Sequence, residues 1–97
     1  METYVILRRH GFRDGDDLRA AAERSTIEGE EMSDGVRWIR SYVLAEEDGT
    51  LGTVCIYQAT SPEAVLEHAR RAALPADEVI FSPDTVIVRP DPEPVPA

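Results

Sequence analysis

Hydrophobic and polar positions repeat along this chain with two periods, one typical of strands and one of helices. Residues 3–9, TYVILRR, are rich in residues that favour β-structure and predict a first strand. Apolar residues at helical spacing then predict a helix over about residues 16–32. Continued to the C-terminus, the pattern predicts four strands at 3–9, 36–44, 52–59 and 79–89, and two helices at 16–32 and 62–74.

Turn-forming and capping residues mark the ends of these elements. Asp48-Gly49 between the second and third strands predicts an antiparallel hairpin. Ser61 and Pro62 are typical of a helix N-cap and first turn, and Pro83-Asp84 predicts a kink or break in the last strand. The N-cap of the first helix is expected among Asp14, Asp16 and Asp17.

The order strand, helix, strand, strand, helix, strand is that of the ferredoxin-like, split βαβ arrangement. It predicts an α+β fold with an antiparallel sheet, two helices on one face and an open second face. Such sheets often dimerise through the open face, so a homodimer is expected. Residues 1–89 are predicted to form this single domain, and the proline-rich residues 90–97 a disordered, extended tail.

Composition narrows the classes of function. The 97 residues carry a formal net charge of -9, and all ten basic residues are arginine, which excludes Schiff-base chemistry on a lysine of this chain. The acidic balance argues against nucleic acid and anionic membranes as partners. One cysteine, no apolar run of membrane-spanning length and no signal-peptide pattern favour a cytoplasmic protein.

The strand VRWIRSYV, residues 36–43, carries an arginine between two aromatic residues. Strict alternation would place Trp38, Arg40 and Tyr42 on one face. That face either packs against a dimer partner or forms a pocket in which Arg40 holds a carboxylate. The pattern alone leaves both interpretations open. Two basic pairs, Arg8-Arg9 and Arg70-Arg71, are expected to be surface charges or salt-bridge partners.

Two histidines and one cysteine are the remaining candidates for chemistry. His68 falls at the rim of the apolar stripe of the second helix, where it is either a general base or metal ligand, or a histidine bonded to a backbone carbonyl. His10 ends the first strand and is either a site residue or exposed. Cys55 lies mid-strand near Tyr57, as a small hydrophobe or as a nucleophile beside Arg40. Gly-rich phosphate loops and the CxxC, HExxH and GxSxG motifs do not occur.

Three stretches, RWIRSYV, CIYQATSPEAVLEHARRA and LPADEV, resemble the small bacterial nickel-binding-protein-like family, long catalogued as a domain of unknown function. The resemblance covers residues 36–80 well and the first strand more loosely. It implies a ferredoxin-like dimer formed through the sheet, a pocket near the sheet and second helix, and nickel as the bound metal.

The chain departs from that family at its metal-ligand positions. Arg40 stands where relatives have histidine, Gln58 where many have glutamate, and Leu7 where a glutamate is usual, while His68 and Cys55 match the family pattern. Arginine has no lone pair to donate and adds positive charge beside a cation. These changes predict no tight transition-metal site. In the competing interpretation, His10 rebuilds the ligand set.

The leading expectation is a metal-independent, cofactor-free pocket for a small molecule. As an enzyme it would be a biosynthetic cyclase, isomerase or lyase, with His68 as general acid or base and Arg40 holding an anionic oxygen. The alternatives are a nickel storage or sensing protein and a non-catalytic structural dimer. The residues expected to line the pocket are Trp38, Tyr42, Tyr57, Cys55, Gln58 and His10.

Overall fold

All six predicted elements form in the computed structural model, which describes residues 1–93. The predicted tail 90–97 therefore lies partly outside the described residues. No helix among residues 1–93 is long and apolar enough to cross a membrane. The elements in chain order are β1 (Glu2–Phe12), α1 (Gly15–Glu31), β2 (Val36–Ala45), β3 (Leu51–Ala59), α2 (Pro62–Arg71) and β4 (Glu78–Ser82).

The predicted capping and turn residues act where the sequence places them. Asp14 is the N-cap of α1, and its carboxylate accepts a hydrogen bond of 2.9 Å from the Asp17 amide. Ser61 caps α2 in the same way, 3.2 Å from the Ala64 amide. Gly49 supplies the left-handed turn of the β2–β3 hairpin with φ 87°. β4 is shorter than predicted because the strand ends at Ser82, before Pro83.

The sheet order is β2-β3-β1-β4, and every neighbouring pair is antiparallel. This order and the sequence of elements confirm the predicted ferredoxin-like α+β fold. The core lies between the sheet and the helices and is formed by Tyr4, Ile6, Val36, Cys55, Tyr57, Ala59 and Val65. We call this side of the sheet the helix face and the other side the open face.

A β-bulge in β2 changes which residues share a face. Trp38 pairs with Tyr57 on the helix face, but Arg40 pairs with Ile56, so Ile39 has no partner on β3. One extra residue reverses the alternation after it. The prediction that Trp38, Arg40 and Tyr42 share one face is therefore wrong. After the bulge, Ser41 and Val43 follow Trp38 onto the helix face.

Arg40 and Tyr42 instead lie on the open face, where both contact Asp91. The Arg40 Nε atom is 3.1 Å from the Asp91 Oδ2 atom, and the Tyr42 hydroxyl donates to Asp91 Oδ1 at 2.8 Å. Both side chains are about half exposed, at 49% for Arg40 and 45% for Tyr42. Asp91 belongs to the segment predicted as a free tail, so part of that segment contacts the sheet.

Candidate functional site

A cavity of about 250 Å³ lies between α1 and the helix face of the sheet. Its wall on α1 is formed by small and aliphatic side chains, and its floor comes from β1, β2 and β3. Fully buried polar side chains on the floor face an otherwise apolar interior. The lining residues are Arg8, Phe12, Leu18, Ala21, Ala22, Ser25, Trp38, Ser41, Val43, Thr53, Cys55, Tyr57 and Leu74.

Arg8 is the charged residue of this cavity and is only 1% exposed. Its Nε atom donates to the Pro75 carbonyl at 2.6 Å, and its Nη1 atom donates to the Cys55 sulfur at 3.1 Å. In the described part of the chain, its Nη2 atom has no hydrogen-bond partner. Within residues 1–93 no carboxylate forms an ion pair with Arg8, and none lines the cavity. The prediction of a surface charge at Arg8 is wrong, whereas exposed Arg9 does pair with Glu46.

Thr53 lies directly opposite Arg8 on the neighbouring strand. The two residues are register partners between β1 and β3, so their side chains project side by side into the cavity. Thr53 is 3% exposed, and its Oγ1 atom also lacks a hydrogen-bond partner among residues 1–93. Buried polar atoms are nearly always paired, so two adjacent unpaired donors are an unusual feature of one cavity floor.

A chain of hydrogen bonds fixes the Cys55 sulfur beside Arg8. Trp38 Nε1 donates to the Ser41 hydroxyl at 2.8 Å, and that hydroxyl donates to the Cys55 sulfur at 3.0 Å. The bulge makes this chain possible because it brings Trp38 and Ser41, three residues apart, onto one face. The indole plane is thereby held as a wall of the cavity.

Tyr57 forms the aromatic centre of the site. Its ring stacks on Trp38 with centroids 6.4 Å apart and planes inclined by 10°, and it contacts the His68 ring at 5.4 Å. Its hydroxyl lies 3.3 Å from the Ser25 hydroxyl of α1. Burial raises the pKa of Tyr57, so the phenol stays neutral at neutral pH.

His68 lies behind Tyr57 and does not line the cavity. It is fully buried, and its Nε2 atom is 3.0 Å from the Ser25 carbonyl oxygen. Burial lowers the pKa of His68, opposed by the bond to Ser25 and assisted by the charge of Arg8. The ring is therefore neutral at pH 7, and its Nδ1 atom has no hydrogen-bond partner in the part of the chain that the structure describes. His68 was interpreted either as a general base or metal ligand, or as a histidine bonded to a backbone carbonyl. The structure shows the bond to a backbone carbonyl.

Four of the eight predicted site residues come together and four do not. Trp38, Cys55 and Tyr57 line the cavity, with His68 behind them. Arg40, Tyr42 and Gln58 lie on the open face. His10 of β1 lies beside the β2–β3 turn, with its Nδ1 atom 3.0 Å from Asp48 Oδ2 and its Nε2 atom 3.6 Å from Glu46 Oε2.

Arg8, Thr53 and Ser41 are polar cavity residues that sequence reasoning missed. Arg8 did carry a signal, because Tyr4 and Ile6 precede it at strand spacing and both are core residues. An arginine that continues such an apolar face is expected on the buried side of the sheet. Ser41 gave no comparable signal, since its face depends on the bulge.

The sequence of this chain matches one model of a known protein family. The model described as "Nickel responsive protein SCO4226-like" matches residues 4–81. The chain belongs to the SCO4226-like family. The family resemblance drawn from RWIRSYV and the other stretches is thereby confirmed.

A solved structure shows the same fold as this SCO4226-like chain. The crystal structure of SCO4226 from Streptomyces coelicolor A3(2) matches with a TM-score of 0.64 and 22% sequence identity. The match covers 87% of this chain and 99% of the other. A comparison with curated proteins finds no match.

The surroundings of Cys55 and His68, the two possible metal ligands that match the family pattern, do not suit a nickel ion within one chain. The Cys55 sulfur accepts hydrogen bonds from Arg8 and Ser41, and a guanidinium charge beside it would repel a divalent cation. The Nε2 atom of His68 is already bonded to a carbonyl oxygen. Within residues 1–93, no three His, Cys, Asp or Glu side chains are arranged to hold a metal.

Proposed function

We propose that this SCO4226-like chain binds a small organic molecule, without a metal, in the cavity between α1 and the helix face. The observation that carries the proposal is the composition of that cavity. Apolar walls surround a few convergent polar groups, of which Arg8 and Thr53 have unpaired donors. This combination is typical of small-molecule sites, although the cavity volume of about 250 Å³ lies just below their usual lower end of about 300 Å³.

The anion-binding role predicted for Arg40 passes to Arg8 in this proposal. Arg40 lies on the opposite face and already pairs with Asp91. Arg8 lines the cavity, and its buried Nη2 atom has no hydrogen-bond partner within residues 1–93. The predicted aromatic walls remain in part, since Trp38 and Tyr57 line the cavity.

The geometry supports binding better than catalysis by His68. A general acid or base needs a site nitrogen within about 2.6–3.2 Å of the reacting proton, directly or through one water. His68 is fully buried behind Tyr57, and the Ser25 carbonyl occupies its Nε2 atom. A cofactor-free cyclase, isomerase or lyase using His68 therefore stays a prediction from the sequence.

The proposal is tested by screening benzoate-sized organic fragments against the purified protein. Trp38 is the one tryptophan of the chain and lines the cavity, so its fluorescence reports on occupancy. A ligand at about 100 times its Kd should add about 2.7 kcal/mol to the free energy of unfolding. In a domain of this size, that raises the melting temperature by roughly 10–20 °C.

Two substitutions of an α1 alanine by phenylalanine, one inside the cavity and one outside it, test where the ligand binds. Ala22 lines the cavity from α1, so Ala22→Phe should fill it and abolish the response of both signals. Ala20 is exposed on the same helix, and Ala20→Phe should leave the response intact. Hits that survive Ala22→Phe bind elsewhere and would overturn the proposal.

A nickel-responsive function is the second candidate, and family membership favours it. It predicts stoichiometric nickel retained after dialysis by the protein as purified and lost in His68→Ala. Metal analysis by mass spectrometry decides the matter. Retained nickel of that kind would overturn the metal-independent proposal, whereas ligand binding to chelator-treated protein would support it.

Association through the open face is the third proposal, since a homodimer would cover apolar side chains there. Val54 and Ile56 are half-buried on the open face, and Ile80 of β4 is 44% exposed. Light scattering after gel filtration measures the mass directly. Ile80→Asp should give a monomer if this face is the interface, and an unchanged dimer would place the interface elsewhere.

A further inference from the structure

The cavity contains two unpaired donors on directly opposite residues, Arg8 and Thr53. We propose that its ligand is a small monocarboxylate, whose two oxygens accept hydrogen bonds from Arg8 Nη2 and Thr53 Oγ1. The inference rests on the ligand site proposed above and names the chemical class of what occupies it. It draws on the pairing of these two residues across β1 and β3.

The charge of Arg8 requires a negatively charged partner that residues 1–93 do not supply. A guanidinium stays protonated in proteins, and burying it without a counter-charge is costly. Its two acceptors are a backbone carbonyl and the Cys55 sulfur, and within residues 1–93 no carboxylate lines the cavity. An anionic ligand oxygen at Nη2 supplies both the missing acceptor and the missing negative charge.

The number of donors points to a carboxylate and away from larger anions. One cation and one hydroxyl match one planar group with a single negative charge and two oxygens. Inorganic phosphate or a dicarboxylate would bring a second negative charge that no cation in the cavity compensates. The site should therefore discriminate against both, in a protein whose net charge of -9 already repels anions.

The remaining walls define the body of the ligand. A volume of about 250 Å³ equals roughly eight water molecules at about 30 Å³ each, which suits a single ring and its carboxylate. Leu18, Ala21 and Val43 offer apolar contacts, and the indole of Trp38 offers a flat surface. A compact aromatic or alicyclic monocarboxylate satisfies these walls and both donors at once.

Benzoate and benzamide are the probes, because they have the same shape and differ in charge. We expect benzoate to quench or shift Trp38 fluorescence with at least about tenfold lower Kd than benzamide, the value for a hydrogen bond to a charged group. Phosphate and succinate should produce no response at the same concentrations. If benzamide binds the unchanged protein as tightly as benzoate does, that result alone overturns the inference.

Three variants assign the preference to its residues. Arg8→Gln should remove the preference for benzoate, and Thr53→Val, which keeps the shape of the side chain, should weaken benzoate about fivefold. Arg40→Gln is the matched control, because it removes the same charge from the open face and should change neither Kd. Benzoate binding that persists in folded Arg8→Gln would also overturn the inference.

The outcomes separate this inference from the proposed function. If neutral fragments bind in the cavity and are lost in Ala22→Phe while benzoate does not bind, the ligand site stands and its carboxylate class is wrong. If no fragment or benzoate changes Trp38 fluorescence or melting temperature, both the site and its ligand class are wrong. Circular dichroism of each variant confirms that the comparison uses folded protein.

Discussion

Arg8 and Arg40 carry the same charge on opposite faces of one sheet, but their surroundings have opposite character. Arg8 is 1% exposed and, among residues 1–93, contacts a carbonyl and a sulfur but no carboxylate, whereas the Arg40 side chain is 49% exposed and is paired with Asp91. An exposed ion pair needs no ligand to satisfy it. A buried, unpaired guanidinium does, which is why the helix face holds the candidate site.

Replacing one tyrosine on each face of the sheet compares how much the helix face and the open face contribute to the free energy of unfolding. We expect the largest difference between variants here. Tyr57→Ala removes a 1% exposed ring from between Trp38 and His68 and should cost about 3–5 kcal/mol. Tyr42→Ala, on the open face, should cost about 1 kcal/mol or less. Urea unfolding monitored by circular dichroism measures both. Equal losses would show that the open face is packed in solution.

Replacement by methionine should change the free energy of unfolding at Arg8 and leave it almost unchanged at Arg40. Arg8→Met keeps a long side chain and removes an uncompensated buried charge, so the ligand-free protein should gain about 1–2 kcal/mol in free energy of unfolding. Arg40→Met should change it by about 0.5 kcal/mol or less. A loss at Arg8 beyond about 1 kcal/mol would mean that its bonds to Pro75 and Cys55 are structural and outweigh the cost of burial.

The two histidines sharpen the contrast through pH. Burial lowers the pKa of His68, so below its ordinary value of about 6.5 the unfolded chain binds a proton that the folded chain does not. The free energy of unfolding should therefore decrease as pH falls from 7.5 to 5.5. His68→Gln should flatten this dependence, and His10→Gln, at an exposed histidine, should keep it. A free energy of unfolding that instead rises as pH falls, and stops doing so in His68→Gln, would mean that His68 is charged when folded.

The smallest effect is expected at Asp91. Asp91→Asn weakens the exposed contacts to Arg40 and Tyr42 and should cost about 0.5 kcal/mol or less. About 1 M salt should reduce that cost further, because it screens exposed charges. Thermal melts of both proteins at low and high salt measure it. A loss above about 1 kcal/mol would give the segment around Asp91 a structural role.

The fold was predictable because its signals are local and repeated. Strand alternation, the Asp48-Gly49 turn and the Ser61-Pro62 helix start each agree with the structure, and their order defines the topology. The last strand was predicted too long, because the apolar residues Val86, Ile87 and Val88 continue the pattern beyond Pro83. In the structure these three side chains are exposed.

The candidate site was predictable only in part, because face assignment depends on register. Cys55 and Tyr57 lie in a regular strand and were placed correctly together, but the bulge separates Arg40 from Trp38. Arg8 was set aside as one of a pair of surface charges, although only Arg9 is exposed. The unpaired state of Arg8 and Thr53 depends on contacts between distant segments, which no local pattern contains.

The unpartnered Ile39 also affects how relatives of this chain should be compared. Deleting it would leave a regular strand with Trp38 and Ser41 still facing the helices and Arg40 and Tyr42 still facing away. In a homologue with a strand of the same length and no bulge, the residues aligned with Arg40 and those after it would lie on the other face of the sheet. An alignment gap opposite Ile39 thus leaves the face of every later β2 residue unchanged. Without such a gap, the alignment can match a residue of the helix face with one of the open face.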